Sequence, residues 1–569
     1  MATSQERLAD LELGTKQEGT YVQKGEGGAD TQVVMRGLDA DSPEGTVHRG
    51  LKARHLQMIA LGGCIGTGLF VGAGSALATG GPLGLWLGYS IMGLPVGSMM
   101  IALGELTTLY PVSGAFVHYT SRFVDPTVGF ALGWNYWYSY AITLPTEITA
   151  AALVIQFWRD DINVAVWITV FYVVICGFNF LCVRSQTLKK PLCSILGLIL
   201  LGIIITAGGV PGQEPIGFRC EFSYFVTCRI CTEGRCPPSG TWRARCSSST
   251  GFPGAKGRFL AFWSTLTQGA FSYLGTEIVA LTAGEAQNPR RNMPKAIRRV
   301  FFCIAFFYVI GTFVMGLIVS PNDPDLTNAD SVNASPWVIA INNAGIEALP
   351  SIFNAAVLLS AFSAGNSDLY ASSRTLYGLA CDGKAPAIFR RCTKSGLPIW
   401  CLVATAAVGL LAYMNVSTGS TTAFNYLSSL STITGLITWA CINLSFIRFY
   451  HGCKAHGLDR NEHPFKAPLQ PWASYIGLVM FILVIFFNGF TVFLSESWDT
   501  GTFIVDYVTI VIFAVLMVGW KLWKRTKFVR IETTDFYTSR CELDQMAEDK
   551  AAKYQKPTFI LGKVWDRLC

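Results

Sequence analysis

Apolar residues run through this chain in long blocks separated by short polar stretches. Residues 56 to 104 contain no Asp, Glu, Lys or Arg, and neither do residues 395 to 447. A helical crossing of a bilayer takes roughly 20 residues, so each block is long enough to cross twice. Open strands would leave backbone groups unsatisfied in lipid. The pattern predicts helices at 56–79, 82–108, 128–157, 164–183, 190–209, 259–283, 300–320, 348–378, 399–415, 423–449, 473–495 and 504–522. The expected fold class is therefore an all-α polytopic membrane protein with about 12 transmembrane helices, and this even number puts both termini on one side.

The loops sort by charge. One set carries Lys52 and Arg54, Arg122, Arg184 with Lys189 and Lys190, then Arg290, Arg291, Lys295, Arg298 and Arg299. The same set continues through Lys384, Arg390, Arg391 and Lys394, then Arg448, Lys454, Arg460 and Lys466, and ends with Lys521, Lys524, Arg525 and Lys527. The opposite set carries Asp160, Asp161, Asp323, Asp325, Asp330, Glu496 and Asp499. Excess Lys and Arg marks the cytoplasmic side, so both termini are expected there. The predicted organisation is a polar N-terminal tail at 1–50, a membrane domain at 51–525 and a charged C-terminal tail at 526–569. Residues 1–50 contain no apolar core near Met1, so no cleavable leader is expected and the first crossing would serve as the targeting signal.

Composition agrees with this pattern. Hydrophobic residues make up 51% of the chain and charged residues 14%, well below the roughly one quarter typical of soluble domains. The net charge of +7 gathers in one set of loops, so it is no sign of a nucleic-acid partner. His451, His456 and His463 share a polar loop without metal-ligand spacing. No catalytic cluster, metal or cofactor is expected, and the chain does not read as an enzyme; nor does a charged pore stripe suggest a channel.

Candidate chemistry lies inside the apolar spans. The first contains Gly62, Gly63, Gly66 and Gly68, a run denser than close helix packing requires. Such a cluster can leave a membrane helix unwound and expose N–H groups as an anion site. The sixth span places Ser272-Tyr273-Leu274-Gly275-Thr276 beside Glu277. If the protein is built as five plus five plus two helices, the first and sixth are the broken pair. Charged groups within spans are expensive and usually functional, which singles out Glu147, Glu277 and Asp368. Each could instead be a structural carboxylate, and Glu105 reads as interfacial.

These residues also carry a family resemblance. The stretch from His55 to Phe70 resembles the opening of fungal amino acid permeases of the amino acid–polyamine–organocation superfamily. Gly104-Glu105-Leu106, Tyr110-Pro111-Val112-Ser113-Gly114 and Gly133-Trp134-Asn135-Tyr136-Trp137 are similar too. So are Gly275-Thr276-Glu277, Gly284-Glu285-Ala286, Asn288-Pro289-Arg290-Arg291 and Ser372-Ser373-Arg374-Thr375-Leu376. The resemblance implies a LeuT-like fold, a 5+5 inverted repeat plus two helices. It implies proton symport of amino acids at the plasma membrane, with an amino acid, a proton and membrane lipids as partners. Ile65, Gly66, Thr67 and Gly68 would hold the substrate carboxylate. Ser272, Tyr273, Leu274 and Gly275 would face its ammonium, and Glu147 and Glu277 are the proton-coupling candidates. Neutral amino acids are the expected core substrates, with broad specificity left open, because no basic cluster accompanies the site. A non-transporting sensor on the same scaffold is the alternative; such sensors carry a longer cytoplasmic extension than the tail of about 50 residues here.

Residues 183–256 depart from the pattern. The approach to helix five is short, and Pro191 stands near the place of the family's usual lysine. Residues 211–258 hold seven basic and three acidic residues, although the loop should face outward. They also hold Cys220, Cys228, Cys231, Cys236 and Cys246. A disulfide-bearing loop, a zinc knuckle and a misread splice junction compete, and the resemblance favours the last. Sequencing the transcript across codons 180 to 260 separates them: an uninterrupted match to this chain would defeat the splice reading.

Overall fold

The computed structural model describes residues 66–112, 114–159, 161–181, 254–286, 289–321, 323, 326, 335–343, 349–393, 397–418, 420–494 and 498–536. The predicted helix at 190–209, the cysteine-rich run and Ile65 lie outside the described residues. All regular elements among the described residues are helices. The protein is an all-α, polytopic membrane protein.

Helix α1 spans Gly68–Leu109. At about 1.5 Å per residue it is twice as long as the ~30 Å apolar core of a bilayer, so one straight crossing cannot contain it. Gly81 resolves this: its φ of 67° and ψ of 178° break the helix, and Pro82 follows. Only glycine adopts that backbone region readily, and proline at a helix start forfeits no hydrogen bond. The break falls between the spans expected at 56–79 and 82–108. After it come a short helix α2 (Ala115–Phe123) and α3 (Pro126–Ile155), whose N-terminus is capped by Asp125 accepting from the Thr127 N–H. Helix α4 is Val164–Leu181 and α5 is Gly254–Ser272.

The remaining chain forms α6 (Ile278–Leu281), α7 (Pro289–Ile318), α8 (Pro336–Asn343) and α9 (Leu349–Cys381). Then follow α10 (Ile399–Met414), α11 (Ser420–Ala455), α12 (Trp472–Phe486), α13 (Phe490–Leu494) and α14 (Thr500–Lys524). Neither α2 nor α8 is visible as a span in the sequence, since both are short. The span expected at 473–495 is interrupted between Phe486 and Phe490.

Helices α3 and α11 are joined through polar groups. Asn135 donates to the Thr434 carbonyl at 2.8 Å and to Thr438 Oγ1 at 3.2 Å. Thr434 Oγ1 donates to Ser139 Oγ at 2.7 Å, and Thr143 Oγ1 to Ser431 Oγ at 3.1 Å. Lipid offers no competing water, so hydroxyl and amide contacts of this kind bind membrane helices to one another. The outward faces of α7, α12 and α14 are apolar, with Phe302, Ile476 and Val515 exposed to lipid.

At one end of the bundle the chain after α14 folds back and is packed as far as Phe536. Val529 N–H donates to the Val124 carbonyl at 3.1 Å, and Tyr110 Oη donates to the Phe536 carbonyl at 3.1 Å. Arg122 donates to the Asp535 carbonyl at 2.6 Å and pairs with its carboxylate at 3.2 Å, while its guanidinium lies over the Tyr110 ring. Lys521 pairs with Asp125 at 2.8 Å. Burial pushes the Asp125 carboxyl up, but Lys521 and the Thr127 N–H outweigh it and hold it below the ordinary carboxylate range. A depressed folded-state value means this stabilisation is complete at neutral pH and is lost only as pH falls through the acid range.

Glu105, expected to be interfacial, is fully buried at this end. Arg460 reaches its two oxygens at 2.9 and 2.6 Å, His463 Nδ1 lies 3.1 Å away and the Ala467 N–H donates at 2.8 Å. The carboxylate thus fixes the loop between α11 and α12. Glu105→Ala should destabilise the protein by about 3–5 kcal/mol, because it strands the half-buried Arg460 charge without its counter-ion. Thermal unfolding of the detergent-purified protein checks this; an unchanged midpoint would refute the hub role.

Candidate functional site

The helix of the sixth predicted span stops at Ser272. Gly275 takes a φ of 92°, a left-handed value that glycine tolerates and other residues resist. Over the break the N–H groups bond three residues back: Tyr273 to Ala270, Leu274 to Phe271, Thr276 to Tyr273 and Ile278 to Gly275. The helical ladder resumes only at α6. The start of α1 is also irregular. Gly66 is not helical, and Gly68–Gly72 is wound as a π-helix.

The two irregular segments meet backbone to backbone. A Cβ on Gly68 would lie 2.8 Å from Ser272 Cα, 2.9 Å from its Oγ and 3.0 Å from the Phe271 ring. No side chain fits between them. Beside this contact lies a narrow cavity of about 30 Å³ lined by Gly66, Gly68, Phe271, Ser272, Leu274 and Gly275 from the two broken segments. Ser139, Tyr140, Thr143 and Glu147 from α3, and Ala364 and Asp368 from α9, complete the wall. Apolar groups and a few convergent polar ones thus meet in one place, the kind of lining a small-molecule site requires.

Of the residues singled out from sequence, Gly66, Gly68, Ser272, Leu274, Gly275, Glu147 and Asp368 share this wall. Thr67, Tyr273 and Glu277 stand behind it. Tyr273 is fully buried, and its hydroxyl donates to the Tyr89 carbonyl at 2.7 Å. Glu277 is fully engaged: Tyr140 Oη donates to Oε1 at 2.7 Å, while Trp439 Nε1 donates to Oε2 at 3.0 Å and Thr276 Oγ1 at 3.4 Å.

Glu147 differs. Its Oε1 lies where a Cβ on Gly66 would come within 3.1 Å, so the carboxyl abuts the start of α1. The Thr67 N–H and hydroxyl are the polar groups that face it. Even so, Glu147 Oε2 and Thr67 Oγ1 find no hydrogen-bond partner of ordinary geometry among the described residues. A buried carboxylate oxygen without a donor is costly unless a proton or ligand completes it.

Sequence reading did not pick out Ser139, Tyr140, Thr143, Phe271 or Ala364. A signal for three of the wall residues was present: Ser139, Thr143 and Glu147 repeat every four residues, a polar stripe on one face of an apolar helix.

The comparisons with known proteins bear on what such a cavity serves. The amino acid permease family model matches residues 55–533. The chain belongs to the amino acid permease family. It is 40% identical to the dicarboxylic amino acid permease of Saccharomyces cerevisiae, with 93% of this chain and 85% of that one aligned. It is 39% identical to the lysine-specific permease of the same yeast, over 94% of this chain and 86% of the other. It is 36% identical to the proline-specific permease of Emericella nidulans, over 91% and 92%. This permease is a secondary transporter of amino acids across a membrane, and a multi-pass membrane protein of the kind found in the plasma membrane. The names of these relatives span dicarboxylic amino acids, lysine and proline at nearly equal identity, so similarity alone selects no substrate.

The close approach at Gly68 yields a test with an internal control. Gly68→Ala should cost about 1–3 kcal/mol of overpacking and abolish most uptake, since the neighbour that would have to move is main chain. Gly72→Ala, where the added Cβ meets nothing within 4 Å, should leave uptake near wild type. Equal uptake by the two variants, at equal surface amounts, would discount the contact.

Proposed function

We propose that this permease takes up neutral amino acids by proton symport, that the cavity between α1, α3, α5 and α9 is the substrate site, and that Glu147 carries the coupled proton. The observation that carries this reading is the buried Glu147 Oε2, without a hydrogen-bond partner among the described residues, on the wall of a cavity between two broken helices. Charged groups held within membrane spans mark ion and substrate pathways.

The zwitterion supplies the rest of the argument. Gly66 and Gly68 offer main-chain N–H groups to the carboxylate, with Thr67 between them turned towards Glu147. The carbonyls of the Ser272–Gly275 break, with Asp368, suit the ammonium. Two carboxylates and no Lys, Arg or His line the cavity among the described residues, which disfavours a second substrate carboxylate. A neutral amino acid brings no net charge, so accumulation against a gradient needs another driving force. Glu277, with both oxygens occupied by fixed donors, is the weaker candidate for a proton that must come and go. The reading includes a 5+5 inverted repeat plus two helices, twelve crossings in all, and cytoplasmic termini. These rest on the paired broken helices and the loop charges, and outside labelling of a tag at either terminus would overturn the orientation.

Uptake of labelled neutral amino acids into transport-deficient cells is the test. Uptake should rise on moderate external acidification, persist without sodium and collapse with a protonophore. Glu147→Gln should abolish accumulation and its pH dependence while leaving surface delivery intact. Sodium-dependent uptake that moves no protons would end the symport reading. A coupled Glu147→Gln protein alongside an uncoupled Glu277→Gln protein would exchange the roles of the two residues.

A further inference from the structure

Helix α7 contains an irregularity that crossing a membrane does not require. Ile304–Ile310 is wound as a π-helix. Such turns are rare, because they spread the backbone ladder over an extra residue, and they gather at functional sites. Nothing in the composition of Ile304-Ala305-Phe306-Phe307-Tyr308-Val309-Ile310 forces one, since the run holds neither Pro nor Gly.

The turn contains Tyr308, which is fully buried and donates its hydroxyl to the Ser272 carbonyl at 2.8 Å. In an unbroken helix that carbonyl would accept from the Thr276 N–H, but Thr276 bonds to Tyr273 instead. The break therefore frees the Ser272 carbonyl inside the bundle, and a side chain from another helix replaces the lost donor. Ser272 is tethered a second time, through its Oγ, which shares a 3.0 Å hydrogen bond with Tyr89 Oη of α1. The Tyr273 ring stacks on Tyr308 with centroids 4.5 Å apart and an interplanar angle of 28°. Thr312 Oγ1 donates to the Tyr308 carbonyl and satisfies part of the disturbed α7 ladder.

We propose that Tyr308, with Tyr89 as its partner, is a positioning residue for substrate binding. The two hydroxyls hold Ser272, main chain and side chain, at the cavity wall, and the π turn in α7 aims Tyr308 at the break. Neither tyrosine lines the cavity, so each acts through Ser272 and not by touching the substrate. A preset wall spares the substrate the cost of ordering it on binding. This inference rests on the cavity being the substrate site.

Tyr308→Phe removes one hydroxyl and keeps the ring. In cells expressing surface-counted protein, its uptake KM should rise about three- to tenfold, the loss expected of one neutral hydrogen bond, with Vmax per molecule little changed. Tyr89→Phe should raise KM similarly. Tyr89→Phe and Ser272→Ala delete the same bond, so their double variant should show less than the product of the single effects. A Tyr308→Phe protein with lowered melting temperature and surface amount but wild-type KM would reduce the tyrosines to packing and overturn the proposal. Thr143→Ala, measured in parallel, separates the two levels. If it shifts KM while Tyr308→Phe and Tyr89→Phe do not, the cavity reading stands and this inference falls. If KM is unmoved by Thr143→Ala, Glu147→Gln and both tyrosine variants, the cavity reading falls first.

Discussion

Lipid supplies no hydrogen bonds, so every main-chain N–H and C=O inside a membrane must find its partner within the protein. This single constraint organises the centre of the permease. The helix ending at Ser272 is broken where it meets the irregular start of α1, and each freed group has to be accounted for. Some are recovered locally, by the turn-like bonds from Tyr273 through Ile278. Ser272 C=O is recovered from α7, and Ser272 Oγ from α1. The unwinding therefore cannot be isolated: it binds α1, α5 and α7 into one unit, with Gly68 as the point where main chains touch. A break held from so many directions has a defined shape, which a binding site requires and a merely frayed helix lacks.

The end of the bundle that holds Glu105 meets a different demand. There the chain crosses between helices through loops, and charge takes over from hydroxyls. Glu105 gathers Arg460, His463 and the Ala467 N–H, while Arg122, Lys521 and Arg448 fasten residues 521–536 across α2 and the end of α11. Exposed ion pairs contribute little, but Glu105 and Arg122 are buried, so their partners are held to a geometry and not merely attracted. The result is a frame of charged contacts at this end, distinct from the hydroxyl and main-chain contacts of the centre.

How much of this was legible in the sequence depends on the kind of signal each feature leaves. Charge-free stretches reveal membrane helices, because burial in lipid acts on every residue of a span. The turn at Gly81-Pro82 and the break at Gly275 were legible because glycine and proline alter the backbone directly. Helices α2 and α8 were not, being too short to show a span. The interruption between Phe486 and Phe490 leaves only the pair Asn488-Gly489 as a mark. Least legible were the partners. Tyr89 and Ser272 are 183 residues apart, and Arg460 and Glu105 are 355 apart. No periodicity within one helix reports which residue of another will face it, so a buried Glu105 looked interfacial and Tyr308 looked like one more aromatic in an apolar run.

The same distinction explains why two intramembrane glutamates that look alike in sequence are placed so differently. Both are buried, and both lie in spans that help to form the cavity. Glu277 sits just beyond the break, where Tyr140, Trp439 and Thr276 converge on it from three positions. Those donors occupy both its oxygens, and a proton gained or lost there disturbs bonds that join α3 and α11 to the break. Glu147 faces the start of α1 with one oxygen unbonded among the described residues. In the proposed function its environment is completed by what enters the cavity, a proton or a substrate. Tyr140 ties the two together: it lines the cavity and holds Glu277, on the same helix as Glu147. Under the proposed symport, a proton exchanged at Glu147 would act on a wall whose other end is tied through Tyr140 to Glu277, so that one group would move the proton while the other keeps the broken helix in register.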